Sequence, residues 1–472
     1  MKRLALPLGL GAAAITWILP APAGMPPAAW TCAGVAVLMA VWWVTEAVPL
    51  PATALVPLVA FPWLGLASMR DAAAPFANPV IFLFLGGFII AAALARCGLH
   101  RRIALAIVAA SGTGPKRLVA GFMIATAFLS MWVSNTATVL MMVPIAGSVL
   151  ALSPQAGEAD ETDGEASDAL AVALLLGVAY AANIGGMGTL IGTPPNALLA
   201  GFMDEAYGVR VGFVEWMMIG VPLLVVALPI TWLVLTRDVG SASAPSVHAI
   251  AHARAPLGPP TRAERFVGAI TAATALAWIT RPVLARWIPG LSDAGIAVAG
   301  ALTLFVVAGW SRRPDSWLDW DDVEALPWGV LILFGGGLSL SAVIQSSGLA
   351  DWIGGTFAGT SAWPLVAVVA AVTTVIIFLT ELTSNTATAA AFLPVAAAVA
   401  VGMGADPILL AAAVALAASG AFMMPVATPP NAIVYGTGRV PIGRMIRAGI
   451  LLNLLFIVLV TATVRLLGPF LA

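Results

Sequence analysis

Two short polar motifs each occur twice in an otherwise apolar chain, and their side chains could ligate ions. Ser-Asn-Thr-Ala-Thr occupies residues 134–138 and returns at 384–388, whereas Thr-Pro-Pro-Asn-Ala occupies residues 193–197 and returns at 428–432. Serine, threonine and asparagine offer hydroxyl and amide oxygens, and Pro-Pro removes two backbone donors and so interrupts a helix. Polar, helix-interrupting motifs that repeat in this way predict two structural repeats around one shared binding site.

The register of the two halves supports a duplication. A shift of 250 residues aligns a series of positions: Phe84 with Phe334, Gly86 with Gly336, Gly98 with Gly348, Ser134 with Ser384, and Pro144 with Pro394. The Thr-Pro-Pro-Asn motifs lie closer together than this shift requires, because the polar stretch 153–168 is present in the first copy alone. The sequence therefore predicts repeats over most of the chain.

Composition identifies the surroundings of this site. The chain has 472 residues, of which 61% are hydrophobic and 9% charged, and its mean hydropathy is +1.02. Such values exclude a soluble protein, and the long apolar stretches favour membrane helices over an outer-membrane barrel. A net charge of -1 gives no reason to expect nucleic acid as a partner, and two cysteines are too few for a disulfide framework or a metal cluster.

The predicted fold is an all-α polytopic membrane protein with about eleven transmembrane helices. The predicted spans are 4–20, 29–48, 51–67, 78–96, 168–200, 213–236, 266–282, 292–310, 327–346, 406–437 and 447–468. Two segments, 117–152 and 361–403, are too long for one span and carry Ser-Asn-Thr near their middle, so they predict re-entrant hairpins. Glycines and prolines in 168–200 and 406–437 predict two broken helices.

These elements predict four regions: an extra first helix (1–28), a first repeat (29–236), a cytoplasmic linker (237–265) and a second repeat (266–472). Five crossings separate the spans that contain Gly86 and Gly336, so the repeats are expected to be inverted. Lysine and arginine gather on one side of this topology, which predicts a cytoplasmic N-terminus and an inner-membrane location. An alternative for residues 2–24 is a cleaved signal peptide.

The motif regions contain no fixed positive side chain, since lysine, arginine and histidine are absent from 119–209 and from 314–438. A bound anion would be held only by partial charges, whereas Na⁺ would find hydroxyl, amide and carbonyl oxygens. A dianion entering a cell against 100 mV costs about 4.6 kcal/mol, so two Na⁺ cancel the charge and a third favours entry. We therefore expect at least two Na⁺ sites beside an anion.

The paired Ser-Asn-Thr and Thr-Pro-Pro-Asn motifs resemble those of the divalent anion/sodium symporter family over nearly the whole chain. The resemblance implies Na⁺-coupled uptake of a di- or tricarboxylate (succinate, malate or fumarate type) by a homodimer with an elevator-like movement, and no enzymatic activity. A proton-coupled dicarboxylate carrier and a Na⁺-independent anion exchanger of the same fold remain alternatives. Citrate and sulfate also remain open as cargo.

The resemblance further implies the site residues. The first Na⁺ site would comprise Ser130, Ser134, Asn135 and Gly192, and the second Thr380, Thr383, Asn385 and Ala427. The substrate would contact Ser134, Asn135, Thr136, Thr193, Ser384, Asn385, Thr386, Thr428 and Pro429. Ser130 and Thr380 are themselves 250 residues apart, so the register pairs these two proposed ligands independently.

Glu381 and Glu46 are acidic residues inside predicted spans, where ionisable groups are costly. Glu381 is either a proton-coupling group or a structural carboxylate bonded to nearby backbone; we favour the structural role, because the first copy has Met131 at this position. Glu46 is expected to have a structural role at a helix end. An intramembrane enzyme lacks its nucleophile–base pair or metal motif here, and a channel is disfavoured by the broken, repeated helices.

Overall fold

The computed structural model describes residues 2–112, 114–151, 161–239, 257–310, 317–357 and 363–471. Within these residues the regular elements are α-helices and two short 3-10 helices, and no strand occurs. The prediction of an all-α protein is therefore confirmed. Part of the predicted linker, 240–256, and part of the polar stretch after residue 151 lie outside the described residues.

Twelve helices precede the predicted linker. They are α1 Lys2–Ile18, α2 Pro27–Thr45, α3 Leu50–Thr53, α4 Val56–Trp63, α5 Met69–Ala73, α6 Pro79–Arg96, α7 Leu99–Ala110, α8 Pro115–Ser130, α9 Asn135–Ala151, α10 Glu161–Gly186, α11 Pro194–Tyr207 and α12 Phe213–Thr236, with a 3-10 helix over Ala74–Ala77.

Ten helices are described after it. They are α13 Arg262–Leu284, α14 Asp293–Trp310, α15 Trp320–Glu324, α16 Trp328–Ser346, α17 Leu349–Phe357, α18 Leu365–Thr380, α19 Asn385–Gly402, α20 Pro407–Ala418, α21 Pro429–Gly436 and α22 Ile442–Leu467, with a 3-10 helix over Gly468–Phe470.

Eight helices in the described part of the chain are long and apolar enough to cross a membrane, and six further apolar helices are shorter. This supports the predicted polytopic membrane protein. The predicted span 51–67 is two short helices, α3 and α4, interrupted at Ala54 and Leu55. The acidic residues of 161–165 lie at the start of α10, where negative charge favours a helix N-terminus.

Each predicted hairpin consists of two helices joined by a four-residue turn. In the first hairpin α8 ends at Ser130 and α9 begins at Asn135, and in the second α18 ends at Thr380 and α19 begins at Asn385. We call residues 130–135 the first tip and residues 380–385 the second tip. The serine of each Ser-Asn-Thr motif is therefore the last residue of the turn, and the asparagine is the first residue of the helix that follows, α9 or α19.

The two predicted broken helices are interrupted where the motifs indicate. In the first copy α10 ends at Gly186 and α11 begins at Pro194; in the second α20 ends at Ala418 and α21 begins at Pro429. We call residues 187–193 the first break and residues 419–428 the second break. Pro-Pro occupies the first two positions of each following helix, where proline's missing N–H leaves no hydrogen bond unmade.

The two repeats interlock around their aligned glycines and phenylalanines. A Cβ on Gly86 of α6 would lie 2.6 Å from the backbone carbon of Ala297 in α14, and one on Gly336 of α16 would lie 2.6 Å from Cα of Ala54. Each repeat thus provides the backbone against which the other's glycine packs. The Phe84 and Phe334 rings, which occupy equivalent positions in the two copies, meet edge to face at 5.1 Å, and contact between equivalent residues is the mark of a two-fold axis.

Candidate binding site

The first tip is bonded to the last turn of α10 through one buried hydroxyl. Ser130 Oγ donates to the Ala182 carbonyl oxygen at 2.8 Å and contacts Asn135 Oδ1 at 2.6 Å. Ser130 is fully buried, which fits the need of a buried hydroxyl for hydrogen-bond partners. The hydroxyl at the start of the tip, the asparagine at its end and the last turn of α10 are therefore brought together.

The second tip has the same arrangement. Thr380 Oγ1 lies 3.0 Å from the Ala418 carbonyl oxygen and 2.7 Å from Asn385 Oδ1, so its single hydrogen is shared between two acceptors. Ala418 is the last residue of α20, the helix that precedes the second break. The pairing of Ser130 with Thr380, predicted from the 250-residue shift, is therefore matched by the same two hydrogen bonds in each copy.

Oxygen atoms converge on the Asn135 amide in the first copy. One terminal atom of this amide lies 3.1 Å from the Ala182 carbonyl oxygen, 3.3 Å from the Gly192 carbonyl oxygen and 2.6 Å from Ser130 Oγ. If this atom is nitrogen, its two hydrogens serve these three oxygens. If it is oxygen, four oxygens lie close together, and such oxygens are the ligands that hard cations prefer.

The asparagine of each Thr-Pro-Pro-Asn motif satisfies carbonyls that its broken helix leaves unpaired. Asn196 Nδ2 donates to the carbonyl oxygens of Gly186 at 3.1 Å and Thr189 at 2.8 Å. In the second copy Asn431 Nδ2 donates to those of Ala421 at 3.3 Å and Met424 at 3.1 Å. All three positions correspond between the copies when the two Thr-Pro-Pro-Asn motifs are aligned. Buried backbone groups must find partners, so these amides stabilise the breaks.

The remaining predicted site residues divide by burial. Ser134, Asn135, Thr136 and their counterparts Ser384, Asn385 and Thr386 are half-buried, whereas Ser130, Gly192, Thr380, Thr383 and Ala427 are buried. Thr193 and Thr428, each 3% exposed, precede α11 and α21, and Pro429 is exposed. Apart from Thr193 and Thr428, the residues expected to touch substrate are thus more accessible than those expected to hold only Na⁺.

Thr383 makes different contacts from those that the resemblance implies. Its hydroxyl donates to the Leu379 carbonyl oxygen at 3.0 Å and shares a 2.6 Å hydrogen bond with Thr388 Oγ1. The hydroxyl that contacts Asn385 Oδ1 is that of Thr380. A second site that includes Thr383 would use the lone pair of this hydroxyl that these two hydrogen bonds leave free.

Glu381 is a saturated structural carboxylate. It is 1% exposed, and its oxygens accept 2.8 Å hydrogen bonds from the backbone N–H groups of Phe422, Met423 and Met424. Asn453 Nδ2 donates a fourth at 2.7 Å. These contacts agree with the structural role that we favoured from the sequence. Glu381 joins the second tip to the second break.

Several residues of the site were not identified from the sequence. Asn196 and Asn431 were visible as the fourth residues of the two motifs, but only the threonines and one proline were assigned a role. Thr189 donates its hydroxyl to the Met131 carbonyl oxygen and accepts from the Gly192 N–H at 3.1 Å. Asn183 of α10 joins the two copies, since its Nδ2 lies 3.2 Å from Thr428 Oγ1. The repeat register gives no signal for either Thr189 or Asn183.

The site is uncharged apart from Glu381. The salt bridges of the described residues involve Arg96, Arg102, Arg210, Arg237, Arg281 and Arg444, which all lie outside 119–209 and 314–438. No group of three or more histidine, cysteine or acidic residues among the described residues could hold a transition metal. The available chemistry is therefore that of neutral oxygens and backbone N–H groups.

Comparison with known proteins places this geometry in a family. The family model for the sodium:sulfate symporter transmembrane region matches residues 2–472. The sodium-dependent dicarboxylate transporter SdcS of Staphylococcus saprophyticus is 40% identical over 441 residues, which cover 91% of this chain and 84% of that protein. SdcS of Staphylococcus aureus is 38% identical over 440 residues, with the same shares covered.

Two solved structures have a similar fold. The YdaH transporter of Alcanivorax borkumensis, described as having an unusual topology, matches with a TM-score of 0.56 and 18% identity, covering 92% of this chain and 98% of that one. MtrF of Neisseria gonorrhoeae matches with a TM-score of 0.58 and 14% identity, covering 84% and 83%. At these identities the likeness concerns the fold alone.

Proposed function

The chain belongs to the sodium:sulfate symporter family, and on that premise we propose that it is a secondary transporter that couples dicarboxylate uptake to Na⁺. The observation that supports this most directly is the matched pair of oxygen groups. A buried hydroxyl, an asparagine amide and a helix-end carbonyl meet at each tip, and no fixed positive side chain lies in either motif region.

Na⁺ is the cation that these groups fit best. Neutral hydroxyl, amide and carbonyl oxygens are hard ligands, and they lack the thiolate or imidazole groups that transition metals favour. Ser130, Ser134, Asn135 and Gly192 would form the first site, and Thr380, Thr383, Asn385 and Ala427 the second. Of these, Ser130, Asn135 and Gly192 already converge, as do Thr380 and Asn385.

The cargo would be a C4 dicarboxylate of the succinate, malate or fumarate type. The two similar relatives are named sodium-dependent dicarboxylate transporters, and two related tips suit a ligand with two anionic ends. Each carboxylate would be held by one tip and by the threonine at the end of one break. Ser134, Asn135, Thr136 and Thr193 would bind one end, and Ser384, Asn385, Thr386, Thr428 and Pro429 the other.

Charge explains why the cations come with the anion. With about 2.3 kcal/mol per charge at 100 mV, a dianion costs about 4.6 kcal/mol to bring into a negatively charged cell. Two Na⁺ remove this cost and a third makes uptake favourable. Since the protein contributes only partial charges to the site, the bound Na⁺ ions would also supply the electrostatic attraction for the carboxylates.

Transport would follow from movement of one part of the protein against the other. We propose that the two hairpins and the two broken helices form the moving part, in an elevator-like cycle within a homodimer. The repeats 29–236 and 266–472 would be inverted in the inner membrane, with the N-terminus and the linker 237–265 cytoplasmic. The equivalent packing of Gly86 and Gly336 supports a two-fold relation between the repeats.

A proton-coupled carrier is the principal rival, with Glu381 as its proton acceptor. The surroundings of Glu381 disfavour it, because all four of its hydrogen-bond partners are N–H donors. A protonated Glu381 would have to turn one donor away and find an acceptor for its own hydrogen. Na⁺ coupling requires no such rearrangement.

Uptake of labelled succinate into proteoliposomes tests the proposal. We expect accumulation with an inward Na⁺ gradient, none in choline, and no dependence on a proton gradient, with citrate and sulfate as competitors that define the cargo. Asn135→Ala and Asn385→Ala should each raise the half-saturating Na⁺ concentration at least about 10-fold, since each removes a charge-bound oxygen worth roughly 1.5–3 kcal/mol.

Thr374→Ala is the matched control for these two variants. The Thr374 hydroxyl bonds to the Ala370 carbonyl oxygen within its own helix, α18, so its loss should leave the Na⁺ dependence unchanged. Uptake that follows pH and ignores Na⁺ would support the proton-coupled rival. Unchanged Na⁺ dependence in both asparagine variants would exclude these residues as ligands.

A further inference from the structure

One buried side chain of the first repeat reaches into the second break. Asn183 lies in the last turn of α10 and is 1% exposed. Its Nδ2 lies 3.2 Å from Thr428 Oγ1, 3.4 Å from the Ala421 carbonyl oxygen and 3.5 Å from Asn431 Oδ1. All three oxygens belong to the second break or to the first turn of α21. This is a polar link between the two halves of the proposed site.

The residue next to Asn183 serves the other half. The Ala182 carbonyl oxygen accepts the Ser130 hydroxyl at 2.8 Å and lies 3.1 Å from the Asn135 amide. Residues 182 and 183 are adjacent in a single helical turn, so their positions cannot change independently. A shift of the Ala182 carbonyl towards a cation in the first site would therefore move the Asn183 amide against Thr428 and Asn431.

The second copy has no counterpart of this link to the first. Ala418 has the role of Ala182 in the second copy, because its carbonyl oxygen accepts the Thr380 hydroxyl. The residue after it is Ser419, whose hydroxyl bonds back to the Ala415 carbonyl oxygen of its own helix at 3.4 Å. Asn183 has thus no equivalent in the second copy, and a purely structural demand of the repeat does not explain it.

The hydrogen bonds of Asn183 are long, so a small movement of α10 would change them. The three separations from Nδ2 are longer than the usual 2.9–3.0 Å of N–H···O bonds, and Asn183 Oδ1, although buried, has no hydrogen-bond partner among the described residues. A small displacement could shorten these bonds and order Thr428 and Asn431. Two sites that share one such element become coupled, so that filling one raises the affinity of the other.

We propose that Asn183 is a positioning residue that couples the two halves of the site: Na⁺ in the first site orders Thr428 and Asn431 for the second Na⁺ and the carboxylate. This inference rests on the proposed function, since it concerns the same Na⁺ sites. It adds an origin for cooperative Na⁺ binding that depends on one side chain outside the proposed ligands.

The test is the Na⁺ dependence of the purified protein and of two variants. Equilibrium binding of radioactive Na⁺ without substrate should be cooperative in the unaltered chain, with a Hill coefficient clearly above 1. Asn183→Ala should bring the Hill coefficient close to 1 and raise the half-saturating Na⁺ concentration by roughly 5–10-fold, the lower part of the usual range of coupling. Asn183→Leu, which keeps the branching of the side chain but removes its polar atoms, should do the same.

Ser419→Ala is the control, because Ser419 follows Ala418 as Asn183 follows Ala182, and its hydroxyl bonds within its own helix. It should leave the Hill coefficient unchanged. Non-cooperative binding to the unaltered chain would overturn the inference without any variant, and so would a cooperative, wild-type-like isotherm in folded Asn183→Ala or Asn183→Leu. Absence of any Na⁺ binding or Na⁺-driven uptake by the unaltered chain would instead refute the proposed function itself.

Discussion

In both copies the break donates hydrogen bonds and the tip accepts them, but the groups that donate and accept differ between the copies. In the second copy the tip supplies the acceptor, since the Glu381 carboxylate takes three backbone N–H groups of the second break. In the first copy the break supplies the donor side chain, since the Thr189 hydroxyl donates to the Met131 carbonyl oxygen of the tip. Met131 and Glu381 are equivalent under the 250-residue shift.

The reason lies in the backbone of the two breaks. After α10 the chain continues in turns that pair its own N–H groups: Met187 N–H donates to Ile184 and Gly188 N–H to Gly185. After α20 the N–H groups of Ser419 and Gly420 are paired in the same way, but those of residues 422–424 donate to Glu381 instead. Three donors in a row need an acceptor with several lone pairs, and a carboxylate is a side chain that provides it.

The copies also differ in how closely their backbones approach. Gly192 and Gly186 face each other in the first copy, and a Cβ on Gly192 would lie 2.9 Å from Gly186 Cα. The second copy has Ala427 and Ala421 at the positions that align with these two glycines when the Thr-Pro-Pro-Asn motifs are superimposed. The same motif is therefore held tightly by neutral groups in one copy and more openly by a charged group in the other. Two similar sites therefore do not require the same contacts to hold them in place.

Removal of the Glu381 carboxylate should have the largest effect on the molecule. Glu381→Ala leaves four buried donors without their acceptor, and at roughly 1–3 kcal/mol for each such loss, partly offset by relaxation, we expect about 3–5 kcal/mol of destabilisation. The melting temperature in detergent, followed by tryptophan fluorescence, should fall by several degrees. Thr189→Val removes the hydrogen bond to Met131 and the acceptor of the Gly192 N–H, and should cost less, about 2 kcal/mol.

Glu381→Gln separates this structural role from proton coupling. It keeps the shape and one acceptor oxygen, so it should be intermediate in stability, and the Na⁺-driven uptake that survives should keep the pH dependence of the unaltered protein. Equal melting temperatures for Glu381→Ala and Met131→Ala would contradict the contrast between the copies.

Gly192→Ala should have the next largest effect, because it gives the first copy the residue type of the second. The added Cβ would press on Gly186 and displace the Gly192 carbonyl, at a cost of about 1–3 kcal/mol for overpacking. Na⁺-driven uptake should then need a several-fold higher Na⁺ concentration. The reciprocal variant, Ala427→Gly, should change this concentration little and cost at most about 1 kcal/mol. Similar Na⁺ dependence in the two variants would show that the difference in backbone approach has no consequence.

Local features of the sequence were sufficient to predict the hairpins and the breaks. Ser-Asn-Thr in the middle of apolar segments too long for one span, and Gly and Pro inside 168–200 and 406–437, each carry their own physical reason to interrupt a helix. The equivalence of Ser130 and Thr380 followed from the register, and their hydrogen bonds agree with it.

The connections between elements could not be predicted in the same way. Glu381 bonds to residues 41–43 positions away and to Asn453, 72 positions away, and Asn183 reaches Thr428 over 245 positions. None of these pairs shares a motif or a repeat register. The partners of Glu381 in the break are backbone groups, and their directions depend on where the break lies. Composition and spacing do not encode such directions. For the same reason no pattern in the sequence indicated that Thr383 is engaged by Thr388.

Exchange of the hydroxyl residues should have the smallest effect and makes the comparison sharpest. Ser130 and Thr380 differ by one methyl group, yet each hydroxyl donates to a helix-end carbonyl and contacts an asparagine oxygen. If the hydroxyl alone matters, Thr380→Ser should leave the half-saturating Na⁺ concentration within about 2-fold, with a loss of stability of about 1 kcal/mol for the buried methyl.

Thr380→Val keeps the shape but removes the hydroxyl, and should raise this concentration about 10-fold or more, since a charge-bound oxygen is worth roughly 1.5–3 kcal/mol. Uptake measured over a range of Na⁺ concentrations compares the two variants directly. If Thr380→Ser weakens Na⁺ dependence as much as Thr380→Val, then the methyl group positions the second tip, and the two sites are less alike than their hydrogen bonds indicate.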